Sequence, residues 1–270
     1  MTQFPTIRSR LRSAGAAAAM ATCTMLVAAL PATTVYAADD QAAEQMFKAM
    51  TDYLGKQDAL SFTYDSTIEV VTTDMQKVGL ASSGTLSLKR PDKVRMTRTG
   101  VADVELVFDG KSATALGKNL NVFAKLPVEG TIDDMIDALR FDFGFEAPAA
   151  DLLSPNAYEI MTSNVTQSKD FGSGVVGGQV CNHLGFRTKD TDWEIWIADG
   201  DVPYPCRVTI SSKMMALAPS YTIQISNWKA GADVAADDFK LGTGDAKEVK
   251  IEELGGLDDE AGLTKEGDAQ

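Results

Sequence analysis

One histidine, His183, and three cysteines in 270 residues leave little material for several kinds of chemistry. A zinc site needs several His or Cys ligands at regular spacing, and no such spacing occurs. The acidic groups Asp237-Asp238 and Asp258-Asp259-Glu260 lack the alternating oxygen ligands of a calcium loop. Residues 174–178 are glycine-rich but carry no lysine, so they do not form a phosphate cradle. No metal and no cofactor is expected. Positive charge is also short, with 25 Lys and Arg against 38 Asp and Glu and a formal net charge of −13. Such a chain repels phosphate backbones, which argues against a nucleic-acid partner. Beyond residue 30 there is no run of the roughly 18 apolar residues that a membrane span requires.

The N-terminus has a different character. Arg8, Arg10 and Arg12 precede an apolar segment, residues 14–30, which ends at Pro31 and is followed by Val35-Tyr36-Ala37. This is the pattern of a cleaved secretory signal peptide, residues 1–37. Residues 38–254 then form the domain, expected not to span a membrane once the signal is removed, and residues 255–270 an acidic tail without a core pattern, expected to be disordered.

Within the domain, alternation dominates. Leu60, Phe62, Tyr64, Ile68 and Val70 share one parity, and beyond a turn near Asp74 the same parity returns in Val78, Leu80, Leu86 and Leu88. A period of two predicts half-buried antiparallel strands. Arg90-Pro91-Asp92, Asp109-Gly110 and Gly117-Lys118-Asn119 punctuate further strands at residues 93–98, 104–108 and 120–126. Residues 39–56 read as a helix whose stripe is Ala43, Met46, Phe47, Met50, Tyr53 and Leu54. Thr131-Ile132-Asp133-Asp134 resembles a capping box, and Ile132, Met135, Ile136 and Leu139 then occupy one helical face. Phe141, Phe143 and Phe145 follow, either as core filling beneath that helix or as pocket lining, and residues 148–153 add another helical turn. A flexible stretch, residues 172–178, opens the second half. There Trp193, Ile195 and Ile197 share the inner face with Leu184 and Phe186, while Glu194 and Trp196 share the outer face with His183 and Arg187.

Cys181 and Cys206 survive processing, and an exported location permits them to pair. On a three-strand meander they stand two strands apart, roughly 10 Å, whereas a disulfide needs Cα atoms within about 7 Å. A turn at residues 189–192 places Cys181 opposite Gly200, past the end of the middle strand, where the two sulfurs can meet. Both a disulfide and two inert, half-buried thiols stay open at this level. His183 lies two residues from Cys181, on the same strand face, but no third residue orients the pair, so no catalytic residue is assigned and no enzyme is expected.

Several short segments resemble known families. Residues 84–95, Phe108-Asp109-Gly110 and Asp238-Phe239 look like the periplasmic lipoprotein carriers of the LolA and LolB type. The segments Cys181-Asn182-His183-Leu184-Gly185-Phe186, Asp192-Trp193-Glu194-Ile195-Trp196-Ile197 and Pro203-Tyr204-Pro205 are similar to a family of predicted periplasmic proteins of unknown function, domain-of-unknown-function family 2092. The resemblance implies a periplasmic location and an α+β half-barrel, a curved antiparallel sheet wrapped around helices, with a cavity for an apolar or lipidic ligand. The same frame also serves an interaction or sensor module with a filled interior and another envelope protein as partner. The wall of the expected cavity is Phe62, Tyr64, Ile68, Leu86, Leu88 and Met96, and its lid is Met135, Ile136, Leu139 and Phe143.

Overall fold

The computed structural model describes residues 35–100, 102–142 and 147–254, so residues 1–34 of the expected signal segment, the acidic tail, Phe143 and Phe145 lie outside the described residues. Helix α1, Val35–Gly55, begins four residues before the expected start at Asp39. Its stripe of Ala43, Phe47, Met50 and Leu54 is buried, at the three- and four-residue spacing that keeps one helical face inward. The helix ends at Gly55, where a Cβ would press on the Pro155 carbonyl at 3.3 Å.

Eleven antiparallel strands and one short parallel strand then build a single open sheet. In chain order they are β1 Ala59–Val71, β2 Lys77–Lys89, β3 Lys93–Thr99, β4 Val104–Phe108, β5 Ala113–Gly117, β6 Val122–Leu126, β7 Gln167–Val176, β8 Gln179–Arg187, β9 Thr191–Ala198, β10 Pro205–Ser212, β11 Ser220–Ala230 and β12 Lys247–Glu248. Across the sheet the order is β12-β6-β5-β4-β3-β2-β1-β11-β10-β9-β8-β7. Two meanders are therefore joined at one seam, where β1 pairs with β11 and Tyr64 faces Ile225. The half-barrel is open, with β12 and β7 at its edges. The expected turn near Asp74 connects β1 to β2 in continuous register from Ala59↔Lys89 to Val71↔Lys77.

Between the meanders lie helix α2 (Ile132–Asp137), a widened π-type turn (Ala138–Asp142), a 3-10 turn (Ala150–Leu153) and helix α3 (Ala157–Thr162). The capping box of α2 is complete. Thr131 Oγ1 accepts from the Asp134 backbone N–H, and the Asp134 carboxylate accepts from the Thr131 N–H at 2.7 Å. Such a cap is worth about 1 kcal/mol, which a helix this short needs.

The inner face holds two buried clusters. In one, α2 supplies Ile132, Met135 and Ile136 against Leu60, Phe62, Leu86, Leu88, Phe108 and Leu126 of β1 to β6. In the other, α1 packs on β8, β9 and β10, with Phe47 5.2 Å from both Phe186 and Trp193, and those two rings stacked at 4.0 Å. Trp228 of β11 bridges the clusters, stacked on Phe62 at 5.7 Å and on Tyr204 at 5.2 Å.

The second half departs from expectation in two places. Residues 172–178 are no flexible stretch: they complete β7 and its turn into β8, with Gly177 and Gly178 both at positive φ, as a two-residue hairpin demands. Gly174 lies in the strand because the Trp196 ring occupies the space where its Cβ would stand. Cys181 faces Ala198 rather than Gly200, since the β8–β9 turn is tighter than expected and Arg187 already pairs with Asp192. Cys181 and Cys206 nevertheless form a disulfide, with Cα atoms 6.9 Å apart, because β9 ends at Ala198 and the ladder slips between Pro205 and Arg207.

Candidate functional site: the inner face of the sheet

Directly paired residues of an antiparallel sheet share a face, so register shows which side chains look inward. Successive inward rows across β3, β2, β1 and β11 run Arg98-Gly84-Tyr64-Ile225, then Ser82-Ser66-Ile223, then Leu80-Ile68-Tyr221, and finally Val78-Val70. Cover falls off along these rows. Leu60 and Leu88 are fully buried under α2, Phe62, Tyr64 and Leu86 nearly so, Met96, Val104 and Ile223 are half-buried, and Ile68 is 41% exposed.

Length explains the gradient. Six residues of α2 rise about 9 Å, while thirteen residues of β1 extend roughly 40 Å. The helix covers one end of the strand pair and leaves the turn end thinly covered, with Ile68 exposed and Val70, Val78 and Leu80 half-buried. The wall residues Phe62, Tyr64, Leu86 and Leu88 and the lid residues Met135 and Ile136 thus come together in one packed cluster, with Met96 and Leu139 at its margin and Ile68 outside it. Phe141 does not fill the core: it is exposed beside the Arg140 guanidinium. Arg140 holds the segment after α2 through a two-pronged pair with Asp151 at 3.1 Å.

A polar band crosses the inner face where cover thins. The Tyr64 hydroxyl donates to the Thr97 carbonyl at 2.9 Å, and its ring lies over Gly84, which has no room for a side chain. Burial pushes the Tyr64 phenol up to about 12, with the neighbouring Tyr221 adding to the rise and Arg98 opposing it. Tyr221 is raised by burial too, partly offset by its hydrogen bond with Ser66. Arg98 is the one charged residue in the inward rows of β1, β2, β3 and β11. Sequence reading missed this band, although Arg98 shares the parity of Val94 and Met96 and so announces its side.

Two open hollows lie elsewhere. One, of about 300 Å³, lies on the outer face, floored by Gly185 and flanked by Phe171, Arg187, Asp192 and Glu194. The other, of about 500 Å³, is bounded by Asp109, Lys111, Ser112, Lys125, Pro127 and Glu248. Neither reaches the space beneath α2. On the outer face of the sheet, His183 Nε2 lies 2.9 Å from Glu194 and its ring stacks on Trp196 at 3.8 Å. Its neighbour Cys181 is tied up in the disulfide, so no thiolate stands beside the imidazole. Among the described residues, no three His, Cys, Asp or Glu side chains converge as metal ligands, and no helix is long and apolar enough to cross a membrane.

Residues 43–252 match the family model described as "Predicted periplasmic protein (DUF2092)". The chain belongs to this family, and its location is periplasmic. Among curated proteins none matches. Among solved structures, the chain is similar to lipoprotein LppX of Mycobacterium tuberculosis, at 14% identity and a TM-score of 0.48, covering 73% of this chain and 100% of that one. It is similar to LprF of Mycobacterium bovis at 11% identity and a TM-score of 0.44, covering 74% and 98%. It is also similar to the MucA/MucB complex structure from Pseudomonas aeruginosa at 11% identity and a TM-score of 0.42, covering 74% and 61%. Likenesses at this level say nothing of a ligand or partner for this chain.

Proposed function

We propose that this family member binds an apolar or lipidic ligand on the inner face of the half-barrel, as a carrier without catalysis, and that α2 with its following turn is the movable cover. The observation that carries the reading is the continuation of the apolar wall past the helix, through Ile68, Leu80, Val70 and Val78, where Ile68 is exposed and the other three are half-buried. Each methylene laid on such a surface gains about 0.8 kcal/mol on leaving water, so an acyl chain binds usefully without a charged anchor. The cover is held by the capping box of α2, the Arg140–Asp151 pair, the Ser154–Asp133 hydrogen bond and the packing of Ile132, Met135 and Ile136. Periplasmic protein extracted with organic solvent should yield lipid by mass spectrometry, and lipid-free protein should take up a fluorescent fatty acid. Finding neither overturns the proposal.

A second reading has one observation in its favour. Ile132, Met135 and Ile136 fill the space over Phe62 and Leu86, as in a module that recognises another envelope protein with its interior closed. Failure of both lipid assays would favour it.

A further inference from the structure

The thinly covered end of the inner face leads to two neighbouring hairpin tips that display apolar side chains to solvent. The β1–β2 turn carries Met75, 56% exposed, and the β10–β11 loop carries Met214, Met215 and Leu217, 72%, 57% and 49% exposed. The tips share one end of the sheet, since β1 pairs with β11 up to Ile68↔Tyr221 and Ser220 donates through its N–H and hydroxyl to Glu69 at 2.9 and 2.7 Å. The loop is a built structure. Ser212 Oγ accepts from the N–H groups of Met214 and Met215, Lys213 Nζ donates to the Thr188 carbonyl at 2.8 Å, and the backbone at Leu217 and Ala218 is held at φ of 62° and 44°. Two successive non-glycine residues in the left-handed region cost free energy, and the Leu217 side chain stands half-exposed in this loop.

We propose that Met75, Met214, Met215 and Leu217 form a rim that seats the open end of the sheet on the zwitterionic surface of a lipid bilayer. The occupant follows from charge and continuity. In a chain with 38 acidic residues, residues 213–219 contain none, and their one cation, Lys213, is already engaged by Thr188 and Asp192, so the loop is an apolar, nearly neutral surface suited to neutral headgroups. The inward strip of Val70, Val78, Ile68 and Leu80 starts at the same tips, so an acyl chain leaving a bilayer there meets apolar side chains continuously. The use of this contact rests on the lipid-binding reading.

The test is flotation of the periplasmic protein with vesicles of equal phosphatidylcholine and phosphatidylethanolamine. The natural protein should float, and Met214→Ser/Met215→Ser/Leu217→Asn should lower its partition at least about tenfold, since asparagine keeps the left-handed backbone. Met75→Asn, which suits the left-handed φ of 61° at that position, should lower it by a smaller factor with no loss of melting temperature. A natural protein that stays with the soluble fraction, a triple variant that floats equally well, or binding only to anionic vesicles overturns the proposal. Uptake of a fluorescent fatty acid from detergent-free solution separates the two readings. Uptake without flotation removes the rim and keeps the ligand site, whereas tip-dependent flotation without uptake keeps the rim and removes the site.

Discussion

The two meanders are built from the same kind of strand and are closed in opposite ways. Over β8 to β10 lies α1, 21 residues long, whose Phe47 interlocks with Phe186 and Trp193, and the Cys181–Cys206 disulfide fixes the strands from β8 to β10 nearby. Over β1 to β6 lies α2, six residues long, which reaches only the base of the wall and continues into a widened turn. A long helix with interlocked aromatics is a permanent plug. A short one, whose apolar margin is only half-covered, is the element that the proposed ligand-binding reading assigns as the cover.

Mutation sharpens this contrast. Phe47→Ala should cost about 3–5 kcal/mol in urea denaturation, since it empties the centre of the plug, and it should leave fatty-acid affinity among folded molecules unchanged. Met135→Ala should cost about 2–3 kcal/mol and should raise fatty-acid uptake, because it loosens the cover rather than the plug. If Met135→Ala proves as costly as Phe47→Ala and leaves uptake unchanged, the two halves do not differ as described.

The smallest effect is one of pH. Tyr64 is held above its unfolded value of 10.0 at about 12, so its contribution is fully present below pH 10 and is lost as pH rises towards 12, because the unfolded chain releases the proton first. Stability should fall by about 1–2 kcal/mol over that window, allowing for partial exposure of the ring. Tyr64→Phe should cost about 1 kcal/mol at neutral pH, through the lost bond to Thr97, and should flatten the alkaline fall. An alkaline limb unaltered in the variant would mean that Tyr64 is more hydrated than its position under the cover requires.

Much of this was legible in the chain. The alternation from Leu60 to Leu88 fixes strand identity and facing because side chains on a strand have a strict period of two. The facing of Leu184 and Phe186 with Ile195 and Trp193 followed from the same rule, and the capping box of α2 from the chemistry of Thr131 and Asp134. Parity names a side, however, and cannot say how far a cover reaches: Ile68 is inward by pattern and exposed by the shortness of α2. The seam between β1 and β11 joins segments more than 150 residues apart, and no local signal encodes such a pairing. Of the polar band, Tyr64, Ser66 and Arg98 belong to the first meander and their side follows from parity, whereas Tyr221 joins them only across that seam. Glycine-rich residues 172–178 read as a loop because local propensity hides a strand whose Gly174 makes room for the Trp196 ring, and a turn whose Gly177 and Gly178 take positive φ.

Native-state amide hydrogen exchange tests the difference between plug and cover most directly. The amides of Met135 and Ala138, which bond to Thr131 and Asp134 carbonyls, should exchange through local opening several kcal/mol below the global unfolding free energy, while those of Phe47 and Met50 should exchange only on global unfolding. Equal protection at all four positions would contradict the account.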